Sequence, residues 1–114
     1  MGDYYRPENG PDLREAIKWY RLSADQGDAK AQYRLGVCYL VGTGMKQDVR
    51  EAVKWYRLSA NQGHAKAQCF LGRCYLHGQG VEHNVGEAVK WLRLSANQGD
   101  SNAQYYLGSC YEYG

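Results

Sequence analysis

The amino-acid sequence predicts an all-α solenoid built from three helical hairpins, six helices in all. Three observations carry this: a 36-residue internal repeat, apolar residues at helical spacing inside each copy, and glycines at fixed places between them. Residues 12–47 read DLREAIKWYRLSADQGDAKAQYRLGVCYLVGTGMKQ, and 48–83 read DVREAVKWYRLSANQGHAKAQCFLGRCYLHGQGVEH. Residues 84–114 read NVGEAVKWLRLSANQGDSNAQYYLGSCYEYG, short of a full period. The first two copies are identical at 24 of 36 positions without a gap, far beyond chance. Residues 1–11 have no counterpart in the copies and form a non-repeat lead to one solenoid domain over 12–114.

Each copy divides into two helices. The first starts at Asp12, Asp48 or Asn84, with Glu15, Glu51 or Glu87 three residues on. That spacing is a capping box, in which the short side chain accepts from free N–H groups and the Glu reaches back. Leu13, Ala16, Ile17, Tyr20 and Ala24 then recur at helical spacing, and Trp19 and Leu22 widen the stripe. A helix apolar on two sides needs neighbours on two sides, which stacking provides.

Gly27, Gly63 and Gly99 end this helix, where a positive φ is needed. Asp28 and Asp100 then cap the next one. His64 holds the same place in the middle copy and is expected to cap less well. So short a turn makes the two helices antiparallel neighbours. The second helix buries Ala31, Leu35, Cys38 and Tyr39. Gly36, Gly72 and Gly108 recur inside it, where glycine costs about 1 kcal/mol relative to alanine, so close backbone approach is expected there. Helices are thus predicted at about 12–26, 28–41, 48–62, 64–77, 84–98 and 100–113.

Composition narrows the function. Charged residues make up 23% with a net charge of +2, and no basic run suggests a nucleic-acid or anionic-membrane partner. No stretch approaches the ~18 apolar residues of a membrane span, and no secretory signal precedes the repeats, so a cytoplasmic protein is expected.

The string A-x-A-Q-x-x-L-G-x-x-Y, followed by G-x-G, E-A-x-K-W-Y and Q-G, resembles the Sel-one-like repeat, a relative of the tetratricopeptide repeat. It stands here as Ala29, Ala31, Gln32, Leu35, Gly36, Tyr39, Gly42, Gly44, Glu51, Ala52, Lys54, Trp55, Tyr56, Gln62 and Gly63. The resemblance covers about residues 12–114. It implies a right-handed α/α superhelix used as an adaptor in protein assemblies. The chain begins with that family's second helix and ends with its first, so its frame is permuted. The resemblance also implies that the helix containing residues 28–41 lines the concave face, with offsets matching 30, 33, 37, 40 and 41 pointing into the groove.

Chemistry is sparse. Cys38, Cys74 and Cys110 share one repeat position, and equivalent points on stacked hairpins lie on the order of 10 Å apart, too far for a disulfide, which needs Cα atoms within about 7 Å. Cys69 and Cys74 point in different directions from one helix, so four buried, reduced thiols are expected, Cys38 and Cys74 slow to react. Cysteine-rich secreted members of the resembled family keep a disulfide-bonded alternative open. Cys69, Cys74 and His77, with His64 and His83 nearby, form a C-x4-C-x2-H string. Cys74 belongs to the packed face and His83 to a loop, so no metal site is expected. No activated thiolate pair and no phosphate-binding glycine loop is present, so neither a catalytic residue nor a cofactor is expected. Trp19, Trp55 and Trp91 read as wedges between hairpins rather than as a binding row.

Variation between copies marks where a partner would be read. The candidate partner-binding residues are Lys30, Tyr33, Val37 and Val41, then Lys66, Cys69, Arg73 and His77, then Asn102, Tyr105, Ser109 and Tyr113. Tyr and Arg are residue types enriched at interface hot spots. The expected function is a scaffold that holds a protein or peptide on its concave face. The alternative is a structural or engineered repeat fragment that stacks end to end, with weak self-association through the chain ends.

Overall fold

The computed structural model describes residues 12–113, with nothing on the side chain of Tyr113; the lead 1–11 lies outside the described residues. Six helices follow one another: α1 (Leu13–Asp25), α2 (Ala29–Val41), α3 (Val49–Asn61), α4 (Ala65–His77), α5 (Val85–Asn97) and α6 (Ser101–Tyr113). Among the described residues there is no strand. The ends agree with the expected ones to within two residues, because the capping residues flank each helix rather than belong to it.

The caps work as the sequence requires, with one difference. Asp12, Asp48 and Asn84 accept from the N–H groups of Arg14, Glu51 and Glu87 at 2.9, 3.1 and 3.0 Å. Glu51 and Glu87 have no role in reaching back, because the N–H groups of Asp48 and Asn84 donate instead to the carbonyls of Tyr39 and Tyr75, at 2.9 and 3.0 Å. Glu87 accepts from the Trp91 indole at 3.2 Å instead. At the other end of α2 and α4, Gly42 and Gly78 take φ of 82° and 67°, the left-handed conformation that frees the chain to turn.

Consecutive helices pack on each other, and α2 on α3 and α4 on α5 are the most extensive joints. The short-turn pairs α1–α2 and α3–α4 are looser, so the tightest unit spans the longer loop. The reason is visible at Gly36 and Gly72. A Cβ on Gly36 would meet the Tyr56 ring at 2.8 Å and the Ala52 carbonyl at 3.3 Å; on Gly72 it would meet Leu92 Cγ at 2.8 Å and the Ala88 carbonyl at 3.2 Å. Polar bonds reinforce the same joints. Ser59 and Ser95 Oγ donate to the carbonyls of Ala29 and Ala65, both at 2.7 Å. Gln62 Nε2 donates to the Gly27 carbonyl and to Gln32 Oε1, both at 2.8 Å, and Gln98 repeats this on Gly63 and Gln68.

The core runs the length of the stack. Leu35, Ala52, Tyr56, Ala67, Leu71, Ala88, Leu92 and Ala103 are fully buried. Trp55 and Trp91 are wedged between hairpins as expected, 6% and 7% exposed, while Trp19, on the first described helix, is 58% exposed. The body measures 50 × 28 × 22 Å.

His64 caps α4 and does more besides. Its Nδ1 accepts from the Ala67 N–H at 3.3 Å, the distance at which Asp28 Oδ2 accepts from Ala31 and longer than the 2.9 Å at which Asp100 accepts from Ala103. Its ring also stacks on Tyr33, centroids 5.0 Å apart. Burial, then Lys66 and Lys30, lower its pKa against the opposing pull of Asp28. Protonated Nδ1 cannot accept a hydrogen bond. The unfolded chain therefore takes the proton first as pH falls below about 6.5, the ordinary imidazole value. The stabilising contribution of neutral His64 is full above that pH and is lost as pH drops through the lowered folded value. Urea unfolding from pH 7.5 to 5 is expected to show this loss, and His64→Asp to flatten it; equal slopes for both proteins would contradict the cap.

Candidate functional site

The inner face is identified by spacing. α4 contacts α6, and side chains bridge α2 to α4, so the even helices lie closest together on one side of the stack. Along α2, Lys30, Tyr33, Arg34, Val37 and Val41 fall on one strip, since spacings of three, four and seven residues return to the same helix face. The matching strip is Lys66, Cys69, Phe70, Arg73 and His77 on α4, and Asn102, Tyr105, Tyr106 and Ser109 on α6.

These residues split into two layers. Lys30, Val41, Lys66, His77, Asn102 and Tyr105 are exposed, Tyr105 at 70%. Tyr33, Val37, Arg73 and Ser109 are half-buried. Cys69 is buried, packed in a cluster with Leu92 and Ala103, and offers no surface to a partner. The side chain of Tyr113 lies outside the described part. The half-buried layer is a ladder of rings: Tyr33 lies 5.9 Å from Phe70, and the Arg73 guanidinium sits 5.1 Å from the Phe70 centroid and 4.7 Å from that of Tyr106. Arg73 Nε is buried without a hydrogen-bond partner. Tyr33 and Arg73 therefore pack repeat against repeat and shape the floor of the groove.

Phe70, Tyr106 and Arg34 were absent from the sequence-derived set, although a strip at helical spacing includes them. The charge pattern was equally legible. α2 and α4 carry Lys30, Arg34, Lys66 and Arg73 and no Asp or Glu, and α6 carries only Glu112. The ion pairs of the described residues, Lys18–Glu15 at 3.9 Å and Lys54–Glu51 at 3.5 Å, both lie on outer helices. Asp28 and Asp100 stand at the rim, capping α2 and α6.

The four cysteines are free. Burial pushes the Cys69 and Cys74 thiols up to about 11. Cys38, expected among the slowest thiols, is only half-buried, and Cys69 takes that role beside Cys74. No thiol is held toward the thiolate. Among the described residues no group of three or more His, Cys, Asp or Glu converges as a metal site would require. Among the described residues no helix is long and apolar enough to cross a membrane. On the outer side an open cleft of about 670 Å³ lies among Arg57, Tyr75, His83, Glu87 and Trp91, and a smaller one repeats it at Arg21, Tyr39 and Gln47. Its recurring element, Arg57 donating to the Tyr75 hydroxyl at 2.7 Å and Arg21 to Tyr39 at 2.8 Å, belongs to repeat packing.

A family model described as the Sel1 repeat matches residues 1–28, 29–64, 65–100 and 101–114. The chain belongs to the Sel1 repeat family. The matched segments break at the starts of α2, α4 and α6, so the family unit is α2 with α3 and α4 with α5, the two tightest joints described above. The copies 12–47 and 48–83 are thus permuted relative to the family unit, as read from the sequence, and the match begins at residue 1 rather than at 12. Solved structures agree. A Sel1 repeat protein from Oxalobacter formigenes is 44% identical with a TM-score of 0.83, over 87% of this chain and 41% of that one. The protective antigen c5321 of uropathogenic Escherichia coli, which displays an SLR fold, is 39% identical with a TM-score of 0.86, over 88% and 21%. Cysteine rich protein B of Helicobacter pylori shares the fold at 22% identity and a TM-score of 0.80, over 85% and 73%. The chain thus spans about two fifths and one fifth of the first two. No curated protein sequence matches significantly. Sel1 repeats are commonly protein-interaction scaffolds and generally non-catalytic.

Proposed function

We propose that this Sel1 repeat chain is a scaffold that holds an extended segment of another protein along its inner strip. One observation carries the reading: the strip sets Lys30, Arg34, Lys66 and Arg73 beside exposed Tyr105 and Val41, with no acid on α2 or α4. Cations left without pairs on a concave, aromatic-floored surface favour a partner segment that carries carboxylates and apolar side chains together. The outer helices α1, α3 and α5 are cationic as well, but each also carries acid, Glu15 and Asp25, Glu51, or Glu87. Four free thiols suit a reducing compartment, and a cytoplasmic location is part of the proposal.

The experiment compares capture by three forms of the chain: wild type, Lys30→Glu with Lys66→Glu, and the outer-face change Lys18→Glu. All three sites are exposed, so folding should be untouched. The double change is expected to reduce capture at least tenfold, roughly 1.4 kcal/mol, and Lys18→Glu to leave it intact. Equal loss in both, or loss in neither, would defeat the inner strip as the binding surface.

A further inference from the structure

Among the cations of the inner strip, Lys30, Arg34 and Lys66 stand exposed, whereas Arg73 is half-buried. Its repeat position is held by Val37 on α2 and Ser109 on α6, so this charge belongs to the middle copy alone. α2 and α6 flank α4 on this side, and both walls around Arg73 lie within the described residues. The guanidinium sits 5.1 Å from the Phe70 centroid and 4.7 Å from that of Tyr106, clasped by a ring from its own helix and one from the next. Phe70 is itself fixed, stacked at 5.3 Å and 8° on the fully buried Tyr56 and tilted against Tyr33 at 5.9 Å.

The clasp leaves the charge poorly satisfied. Nε is buried with no hydrogen-bond partner, and among the described residues no acid pairs with the guanidinium. A charge drawn out of water and left unpaired is held at a penalty that an incoming anion relieves. Tyr56 Oη is also buried without a partner; burial raises its pKa and the Arg73 charge opposes that rise, so the two orphaned groups lie within electrostatic reach of each other. Arginine presents a rigid planar fork that fits a carboxylate with two parallel hydrogen bonds, and a ring on either side keeps the fork from turning. Lys66 stands seven residues earlier on α4, about 10 Å along the helix, so the two cations meet different residues of a bound segment.

We propose that Arg73 sets the register of the bound segment by taking one aspartate or glutamate side chain of the partner in a two-pronged hydrogen bond with its guanidinium. The inference rests on the scaffold reading above and deepens it. Lys30, Arg34 and Lys66 attract an acidic segment without fixing its place, and Arg73 fixes which of its residues must be acidic. Charge complementarity sets the occupant, since α2 and α4 carry no acid to compete for the fork. Val37 and Ser109 offer no charge at the same position on the neighbouring helices, so the demand is for one acid rather than a run of them.

The test selects a displayed library of random peptides on wild type and on Arg73→Val, which installs the residue type of the first copy. Circular dichroism and a thermal melt establish that the variant folds. Should it unfold, Arg73→Lys, which keeps the charge and loses the fork, takes its place. Peptides enriched on wild type are expected to share one acidic position at a fixed distance from an apolar one, and those enriched on the variant to lack it. Changing that acid to its amide in a selected peptide is expected to weaken binding to wild type about tenfold and to the variant about twofold or less, a coupling that a merely structural arginine would not show. Enriched peptides without a fixed acid, or equal losses on both proteins, overturn the proposal and leave the scaffold reading standing. No enrichment on wild type, or peptides that bind the Lys30→Glu, Lys66→Glu double variant as well as wild type, overturn the scaffold reading and this inference with it.

Discussion

Alanine at Gly36 or Gly72 is expected to lower the free energy of unfolding by about 1–3 kcal/mol, the usual penalty for overpacking. Alanine at Gly108 is expected to raise it by up to about 1 kcal/mol. All three glycines sit mid-helix with ordinary backbone angles, so local propensity favours alanine equally at each. What differs is the space above them. At Gly36 and Gly72 the Ala52 and Ala88 carbonyls stand 3.3 and 3.2 Å from a new Cβ, behind side chains already at 2.8 Å, and a helix backbone cannot step aside without parting the hairpins. At Gly108 the methyl enters open space. Urea unfolding of the three variants reads the contrast. A gain at Gly36 or Gly72 would mean that the joint is loose.

Leu71→Ala should be the most damaging single truncation, at about 2–5 kcal/mol. Leu71 has no exposure and belongs to the central cluster with Val53, Tyr56, Ala60, Ala67, Cys74 and Trp91, so the void left behind is walled by several elements and collapses poorly. In a solenoid each unit is supported only by its neighbours, so a defect in the middle uncouples both ends. Leu107→Ala, at the same repeat position on α6, should cost less than about 2 kcal/mol because that side chain is already half in solvent. Given the ~5–15 kcal/mol typical of a small domain, the Leu71 variant is expected to show a visibly broadened or lowered thermal transition, and the Leu107 variant a small shift. Similar losses at both sites would contradict the distribution of the core.

Most of the fold was legible because each element announces itself locally. Asp12, Asp48 and Asn84 cap where they should, Gly42 and Gly78 turn the chain where a positive φ is needed, and a 36-residue period leaves little freedom in between. What escaped was decided across helices. His64 looked like a poor substitute for aspartate, but Tyr33, thirty-one residues earlier, supplies a ring for it to stack on. Cys69 fell on the groove strip by its register, yet α5 and α6 close over it. The capping-box glutamates were expected to reach back, and carbonyls from the preceding helix reached those N–H groups first. The absence of acid from α2 and α4 was in the sequence throughout, hidden by a net charge that the acids of the caps, such as Asp12, Asp28, Asp48 and Asp100, bring close to zero.

The Tyr33–His64 stack bears on how such a chain can be rearranged. Its counterpart in the next copy is Cys69 with Asp100, where burial first and the Asp100 charge second raise the thiol's pKa, so the two positions differ together. Both partners of each pair lie within one family unit, 29–64 or 65–100. A duplication or exchange cut at 28/29 and 64/65 moves each pair intact. One cut at 47/48, where the copies look equally alike, sets histidine against cysteine or aspartate against tyrosine. The true module of this protein is the block that keeps those partners together, and only its borders are neutral places for recombination.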